Sequence, residues 1–318
     1  MVIHIIGTVN GQINEGMRNI ATHLATALEK ENTVLYSRLK QIPQIVLNAK
    51  RADATLIFAR ANKRVYSLAS IVTKLCRNTW IVLVQKPDAD FVDRNNKHPL
   101  KCSYLSILES DMKDVKTVPG KQKKRFSVGI GTDKFVPVSA EQRQSLKRKY
   151  GFNPAKPLVV HVGHCSKGRG LEDFTRIRTA QRMVVASGMF EDENIVRVLN
   201  EAKIQIHKGY LEHVEEVYQM ADAYLFPTRS AEFVISIPLS VMEALSCGVP
   251  VIGYGSFGNL KEIQAADGAV TLIDHADQID TVLPEVIKKR SDHSLLEKTV
   301  SWSDAAQGVL RMIQEGNA

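Results

Sequence analysis

Two glutamates, Glu232 and Glu243, flank an apolar run in the segment EFVISIPLSVMEALSCGVPVIG, which covers residues 232–253. A carboxylate in such a run either faces solvent or points into a site where a ligand needs an ionised oxygen acceptor. The segment therefore raises the question of what Glu243 binds, and the answer depends on the element that positions it.

A short helix is expected around Glu243. Pro238 suits the first turn of a helix, where its missing N–H is no loss, and Ser236 is a candidate cap before it. Apolar residues at helical spacing share one face up to about residue 246, and Glu243 lies off that face. Spacing alone leaves both interpretations of Glu243 open.

The surrounding elements alternate. Short apolar runs typical of buried strands are separated by amphipathic stretches, and this alternation is the signature of parallel sheets covered on both faces. It degrades between residues 113 and 156, where KQKKR (121–125) and the following charged segments predict linkers and surface turns. The sequence predicts two doubly wound α/β domains joined near residue 120. The strands are expected in VIHIIG, TVLY, TLIFA, WIVLV, LVVHVG, RMVVAS, IQIH, AYLFP, VPVIG and AVTLI.

Composition excludes several classes of protein. The 318 residues are 44% hydrophobic and 24% charged, enough apolar material for two globular cores. No apolar stretch approaches the length of a membrane span, and the N-terminal MVIHIIG does not resemble a secretory leader. The four cysteines show no paired spacing, so neither a disulfide scaffold nor a zinc site is expected. Reduced cysteines are typical of cytoplasmic proteins, and we therefore expect a cytoplasmic location.

Charge is divided unequally. Residues 1–150 carry 26 lysines and arginines against 12 acidic residues, a net charge of +14, whereas residues 151–318 carry a net charge of −6. The basic half is expected to meet an anionic partner. Nucleic acid is disfavoured because aromatic residues are only 6% of the chain and none flank KQKKR. Phosphorylated substrates and an anionic membrane surface remain as candidate partners of the basic half.

Several motifs in the second half occur in a recognisable order. They are HVGHCSKGRGLEDF (161–174), HKGYLEHVEEVYQMADAYLFPTRS (207–230), PLSVMEALSCGVPVIG (238–253), FGNLKEI (257–263) and DGAVTLI (267–273). Together with VGIGTDKFVP (128–137) and the terminal SWSDAAQGVL, they resemble glycosyltransferase family 4, the retaining nucleotide-sugar transferases of GT-B fold. The common motifs of phosphate-loop nucleotidases, dinucleotide-binding folds, zinc proteases and serine hydrolases are not found in the sequence.

The resemblance implies a domain organisation. Two Rossmann-like domains would face a cleft, with residues 1–127 on the acceptor side and 128–301 binding the nucleotide sugar. The C-terminal helix 302–315, capped by Ser301 or Ser303, would pack back on the first domain.

The resemblance also implies roles for individual residues. Glu243 would accept hydrogen bonds from the ribose hydroxyls of the donor. Lys167 or Arg169 would hold the diphosphate as a catalytic cation, since KGRG allows two alignments. Gly163 and His164 would bind the donor in the loop where the family has glycine and arginine.

Further donor contacts would come from two glycine-containing loops. Gly258 and Asn259 stand at the family's glycine pair, a mild change because asparagine tolerates turn geometry. Gly11 and Gly16 in the first domain would approach the donor phosphates before the first helix.

One departure from the family bears on catalysis. The family has a second glutamate eight residues before Glu243, and here that position is Ile235. Glu232, three residues further upstream, is the candidate replacement as a catalytic residue.

The expected function is transfer of a hexose, with retention, from a UDP- or GDP-linked sugar to a hydroxyl acceptor, with no cofactor and no metal. The acceptor would be a sugar or a polyprenyl-linked or other lipid-linked molecule, and the basic half would place the protein peripherally at the inner face of the membrane. The alternative is a catalytically degenerate GT-B protein that acts as a binding or regulatory partner.

Overall fold

The computed structural model describes residues 1–9, 16–186 and 191–316. The chain divides into two compact units, unit 1 with Met1–Gly129 and Val300–Ala318, and unit 2 with Ile130–Thr299. Each unit is built on a six-stranded sheet in which every paired strand is parallel. The expected α/β class with two parallel sheets is therefore confirmed.

The elements alternate as the sequence pattern indicates. Up to residue 129 they are β1 (Val2–Gly7), α1 (Gly16–Leu28), β2 (Thr33–Ser37), α2 (Ile42–Arg51), β3 (Ala54–Phe58), α3 (Lys63–Leu75), β4 (Thr79–Leu83), α4 (Ala89–Lys97), β5 (Ser103–Ser106) and β6 (Lys123–Arg125). Unit 2 contains α5 (Ala140–Lys149), β7 (Leu158–Gly163), β8 (Gln181–Ala186), α6 (Glu193–Glu201), β9 (Gln205–Lys208), α7 (Val214–Met220), β10 (Ala223–Phe226), α8 (Leu239–Ser246), β11 (Val251–Tyr254), β12 (Val270–Ile273) and α9 (Ile279–Ile287). The chain then returns to unit 1 as α10 (Trp302–Glu315).

The sheet of unit 1 has the order β2-β1-β3-β4-β5-β6. The chain moves one way from β1 to β2 and the other way from β2 onwards, so right-handed crossovers place α1 on one face and α2, α3 and α4 on the other. The last helix, α10, packs against α1. There the ring of Trp302 stacks on His23 with centroids 4.7 Å apart. Ser301 caps α10 by accepting from the Asp304 N–H.

Two expectations for the region between the domains are wrong. The run KQKKR is not a linker, because Lys123–Arg125 pairs with β5 as the edge strand β6. Basic side chains are common on edge strands, since they discourage further pairing. Likewise, residues 140–149 form α5 instead of a surface turn. Its Lys147 is buried, and Lys147 Nζ lies 2.5 Å from Asp222 Oδ2, which anchors the helix to unit 2.

The sheet of unit 2 has the order β12-β11-β10-β7-β8-β9. Read from β9, this is the strand order of dinucleotide-binding folds, with the first strand of the unit, β7, next to the point where the order reverses. The core is formed by strand residues of this sheet and by apolar residues of the flanking helices, among them Leu171, Phe174, Ile195, Leu199 and Leu283.

The helix around Glu243 begins later than predicted, and Ser236 is not its cap. Leu239 is its first residue and Pro238 is the cap, with its carbonyl accepting from the Val241 and Met242 N–H groups. Within the described parts of the chain, no helix is both long enough and apolar enough to span a bilayer.

Candidate functional site

The carboxyl end of β7 stands at the reversal point of the unit 2 sheet. Gly163, Ala186 and Lys208 are partners across the adjacent strands β7, β8 and β9, so these strands end together at one edge. On the other side of β7 lies β10, which leads into the loop 227–238. In open α/β sheets, ligands bind outside the carboxyl ends of the strands at such a reversal point.

The loop after β7 is folded tightly by glycines. Gly168 and Gly170 have φ of +87° and +73°, the left-handed region that favours glycine. A Cβ at Gly170 would lie 2.4 Å from the Pro227 carbonyl oxygen, so this loop lies directly against the loop that follows β10. The two glycines of KGRG are thus required by the backbone path of the loop.

The two candidate cations of this loop differ in burial. Lys167 is exposed, whereas Arg169 is only 8% exposed. A Cβ on Gly163 would lie 3.5 Å from Arg169 Nη2, which places the guanidinium beside the end of β7. Arginine stays protonated even where burial lowers its pKa, as it does here. A fixed positive charge therefore lies next to a glycine at the reversal point.

Two histidines accompany Arg169. His164 is partly buried, and burial together with the charge of Arg169 lowers its pKa to about 4. It is therefore neutral at pH 7 and can still donate one N–H. His161, within β7, is buried, and its Nδ1 lies 3.0 Å from the Leu225 carbonyl oxygen. Since a carbonyl only accepts, Nδ1 carries the proton and Nε2 is an acceptor.

His161 is a site residue that sequence reasoning missed. Its Nε2 would lie 2.9 Å from a Cβ on Gly163, and among the described residues this nitrogen has no hydrogen-bond partner. Burial and the charge of Arg169 lower its pKa to about 3. The signal was present as a histidine inside the apolar strand LVVHVG.

Glu243 lies in α8 and is partly buried. Its Oε2 accepts a hydrogen bond of 2.8 Å from the Tyr218 hydroxyl. Burial raises the pKa of this carboxyl group to about 7, and the hydrogen bond from Tyr218 offsets only part of that effect. Without a ligand, the Glu243 side chain is therefore partly shielded from solvent, and its carboxyl group is only partly ionised at pH 7.

A row of rings connects Glu243 with the loop after β7. Tyr218 packs against Tyr224 with centroids 5.8 Å apart, and Tyr224 stacks on His161 at 5.7 Å with an angle of 26° between the rings. The Tyr224 hydroxyl also donates to the Val162 carbonyl oxygen at 3.1 Å. The structure therefore brings Glu243 and Arg169 to the two ends of one buried polar row.

Glu232 is placed differently. It lies in a 3-10 helix (Ala231–Phe233) and is exposed, with its backbone N–H donating to Ser230 Oγ at 3.2 Å. In the described residues, no hydrogen bond joins its carboxylate to Glu243. Ile235, at the family's glutamate position, is buried. The assignment of Glu232 as its replacement stays a prediction.

The glycine-containing loop after β11 contacts the loop after β10. Gly258 has φ of +71°, and a Cβ there would meet nothing within 4 Å. Asn259 donates from Nδ2 to the Ser236 carbonyl oxygen at 3.0 Å. Asparagine at this position therefore holds the two loops together, and the backbone at Gly258 borders open space.

A second cluster was not predicted. Arg229 donates to Asp173 Oδ2 at 2.7 Å and to the Tyr254 hydroxyl at 2.8 Å, and its guanidinium lies 3.9 Å from the centre of the Tyr254 ring. Tyr254 also donates to Asp173, at 2.7 Å. These contacts join the loop after β7 to the ends of β10 and β11. The sequence signal was the arginine in PTRS, inside a motif already matched to the family.

Gly16 is the first residue of α1 in unit 1. The six residues before it, Gly11 among them, lie outside the described residues. The assignment of Gly11 and Gly16 to the donor phosphates stays a prediction. Among the residues that the structure describes, no group of three histidine, cysteine, aspartate or glutamate side chains is arranged to hold a metal ion.

Comparison with known proteins supports the resemblance. Residues 157–292, which contain the β7 loop and Glu243, match the family model described as "Glycosyl transferases group 1". A GDP-mannose-dependent monoacylated alpha-(1-6)-phosphatidylinositol monomannoside mannosyltransferase of Corynebacterium glutamicum is 23% identical over 50% of this chain and 45% of its own length. An alpha-galactosylglucosyldiacylglycerol synthase of Streptococcus pneumoniae is 24% identical over 39% of this chain and 35% of its own length. The chain thus matches less than half the length of these relatives.

The match to solved structures extends over the whole chain. The crystal structure of Anabaena HepE in complex with UDP-glucose superposes with a TM-score of 0.70 and 12% identity, covering 100% of this chain and 97% of HepE. At this identity the likeness establishes the fold. The chain resembles glycosyltransferase family 4 over residues 157–292, and its two six-stranded units have the Rossmann-like architecture of the GT-B fold.

Proposed function

We propose that the protein is a glycosyltransferase that moves a hexose from a nucleoside-diphosphate sugar to a hydroxyl acceptor with retention. The observation that carries the proposal is the Arg169 guanidinium, buried beside Gly163 at the carboxyl end of β7. A fixed cation at this position suits the diphosphate, on which negative charge develops as the sugar leaves. Lys167, exposed on the same loop, adds a second positive charge.

Glu243 is proposed to bind the ribose. Two hydroxyl groups that donate to its carboxylate would stabilise the ionised form, which burial alone disfavours. The Tyr218 hydroxyl would keep the carboxylate oriented in the absence of the donor. UDP and GDP are the first nucleotides to test, because they occur in the names of the similar proteins.

The acceptor is proposed to be lipid-linked and to be bound by unit 1. The names of two relatives include a phosphatidylinositol mannoside and a glycosylated diacylglycerol. The net charge of +14 over residues 1–150 suits an anionic lipid surface. No role of Glu232 is required for donor binding in this proposal, and its catalytic role is tested separately.

The first test is thermal unfolding with UDP, GDP and ADP and with their hexose conjugates. A ligand at about 100 times its dissociation constant adds about 2.7 kcal/mol to the free energy of unfolding. One nucleotide is expected to stabilise the wild type, and Glu243→Ala is expected to lose most of that effect. No stabilisation by any nucleotide would contradict the proposal.

The second test is turnover with the selected donor and a short-chain lipid-linked acceptor, with the anomeric configuration of the product read by proton NMR. Retention supports the proposal and inversion contradicts it. The alternative, a degenerate binding protein, is favoured by the buried Ile235. It predicts nucleotide binding with no release of sugar, in the wild type and in Glu232→Gln alike, whereas a catalytic Glu232 predicts activity that this substitution abolishes.

A further inference from the structure

Unit 1 carries a cluster of exposed apolar side chains that its fold does not use. Leu39, Ile42, Leu47 and Ile71 are 39%, 47%, 52% and 46% exposed. They are four of the six large hydrophobic residues that stand out as exposed in the described residues, and all four belong to α2, the turn before it, or α3. Single exposed apolar residues are ordinary, but a group of them marks a surface that binds something.

Helix geometry places Leu47 and Ile71 on adjoining outer faces of α2 and α3, and Leu39 and Ile42 lie just before and at the start of α2. Leu47 lies on the side of α2 opposite to its buried residues Ile45, Asn48 and Ala49. On α3, Tyr66 packs against Phe91 of α4, with ring centroids 6.2 Å apart.

Ile71 lies five residues after Tyr66, which rotates it by about 140° around the α3 axis. Since α3 packs between α2 and α4, Ile71 is on the flank of α3 that faces α2. We call the surface formed by Leu39, Ile42, Leu47, Ile71 and the exposed basic residues around them the α2–α3 surface.

The same segment is strongly basic. Residues 38–75 contain eight lysines and arginines and a single acidic residue, Asp53. Asp53 is occupied in accepting the Val2 N–H at 2.7 Å. The basic residues of this segment that are exposed on α2, on α3 or in the turn before α2 are Arg38, Lys40, Lys50, Arg51, Lys63, Arg64 and Lys74.

The stability of α2 explains only part of this distribution. Lys50 and Arg51 lie in its last turn, where the helix dipole favours positive charge. Arg38 and Lys40 precede the N-terminus of α2, where the helix dipole disfavours positive charge, and the first turn has no acidic residue. Positive charge at this position is better explained by an external anion that the surface meets.

We propose that the α2–α3 surface docks on an anionic lipid bilayer. The apolar side chains would enter the interfacial layer while the basic side chains contact the anionic headgroups, as basic amphipathic surfaces do. Leu39 and Ile42 lie next to the end of β2, so the docked surface includes the carboxyl edge of the unit 1 sheet. The inference deepens the proposed function by naming the surface that would reach a lipid-linked acceptor, while docking itself requires no transferase activity.

The test is co-flotation of the full chain with phosphatidylcholine vesicles that contain 0 or 30 mol% phosphatidylglycerol in 0.15 M NaCl. The wild type is expected to float with the anionic vesicles and to dissociate in 0.5 M NaCl. The variant Lys40→Gln/Lys50→Gln/Lys74→Gln is expected to bind about 100-fold more weakly, since each basic residue near the surface contributes about a factor of five. Ile42→Asn/Leu47→Asn/Ile71→Asn is expected to lose at least about tenfold, because its apolar contacts with the interface are removed.

Matched controls separate this surface from net charge and from hydrophobicity in general. Arg148→Gln/Arg178→Gln/Lys298→Gln removes three exposed charges from unit 2, and Val136→Asn removes an apolar side chain that is 40% exposed there. Both are expected to change binding by less than about twofold. Absence of wild-type binding to anionic vesicles, or equal losses in the controls, would overturn the inference.

Two further readouts distinguish the outcomes. Analytical ultracentrifugation of the apolar variant tests the other occupant, because a change of mass relative to the wild type would assign the surface to a second copy of the chain and overturn membrane docking. Nucleotide stabilisation of all variants is expected to equal that of the wild type. Docking without nucleotide stabilisation would support this inference while contradicting the proposed function, and the reverse pattern would contradict only the inference.

Discussion

The first strands of the two units have similar sequences, but their histidines and terminal glycines have different surroundings. Both β1 and β7 are six residues long, end in glycine and contain a buried histidine. His4 is three residues before Gly7, and its Nε2 lies 2.9 Å from Ser37 Oγ, at the end of β2. His161 is two residues before Gly163, and its Nε2 lies toward that glycine and Arg169. Because side chains alternate along a strand, a shift of one residue sends the two histidines to opposite faces relative to the terminal glycine.

The glycines that end β1 and β7 also differ in what surrounds them. A Cβ on Gly7 would lie 2.5 Å from the Phe58 carbonyl oxygen of β3, so Gly7 is required for close strand packing. The atoms nearest to a Cβ on Gly163 would be side-chain atoms of His161 and Arg169, the first of them 2.9 Å away. The same strand pattern therefore sets Gly7 against fixed backbone in unit 1 and Gly163 against the side chains of the candidate site in unit 2.

The largest expected effect comes from replacing these two glycines. Gly7→Ala should lower the free energy of unfolding by about 3 kcal/mol, because the contact is with fixed backbone. Gly163→Ala should cost about 1 kcal/mol, because side chains can move, yet it should abolish nucleotide stabilisation. Denaturant unfolding of both variants with and without nucleotide measures this. Equal losses of stability, or intact nucleotide binding by Gly163→Ala, would remove the distinction between the two strands.

The second prediction concerns the polar row found in unit 2. The folded-state pKa of Glu243 is about 7, above the ordinary value of 4.5. The proton is therefore held more tightly in the folded state, and the resulting stability is complete below pH 4.5 and lost as the pH rises through 7. Glu243→Gln should unfold with a free energy about 3 kcal/mol higher than the wild type at pH 8, and less than about 0.5 kcal/mol higher at pH 4.5.

Glu232→Gln is the matched control for this prediction, since its side chain is exposed. It should unfold like the wild type at both pH values in urea titrations. A Glu243→Gln variant with the same pH dependence as the wild type would show that Glu243 is ordinarily ionised in the folded protein.

The smallest expected effect is spectroscopic. Burial lowers the pKa of His4 to about 4 and that of His161 to about 3, so both should stay neutral down to about pH 5. In ¹⁵N-detected histidine spectra at pH 7, nucleotide binding should shift the His161 and His164 signals and leave His4 unchanged. A shift of His4 equal to that of His161 would argue against a site confined to the end of β7.

The strands were the most predictable part of the fold. Apolar runs such as VIHIIG and LVVHVG, which are short and rich in β-branched residues, are typical of buried parallel strands, and both form strands as expected. Basic segments were harder to interpret, because KQKKR forms β6 through pairing with a neighbour that the sequence pattern does not reveal. Helix α5 was missed because its packing depends on the buried Lys147–Asp222 ion pair instead of an apolar stripe.

The residue types of the candidate site could be proposed from the sequence, but their arrangement could not. Glu243 was singled out from its motif, but its partner Tyr218 comes from a different helix, α7. Lys167 and Arg169 are equivalent by spacing, and only the three-dimensional path of the loop buries one and exposes the other. His161 was overlooked because a polar residue in a buried strand gives no sequence signal of which face it occupies.

The measurement that tests the central claim most directly is isothermal titration of the selected nucleoside diphosphate and its parent nucleoside. It compares the wild type with Arg169→Gln, Lys167→Gln and Arg178→Gln, the last an exposed arginine in unit 2. Loss of the buried cation is predicted to weaken diphosphate binding about 100-fold and nucleoside binding by less than about threefold. The Lys167 variant should lose about fivefold because its charge is exposed, and the Arg178 variant nothing. A folded Arg169→Gln variant that binds the diphosphate as tightly as the wild type would contradict the account.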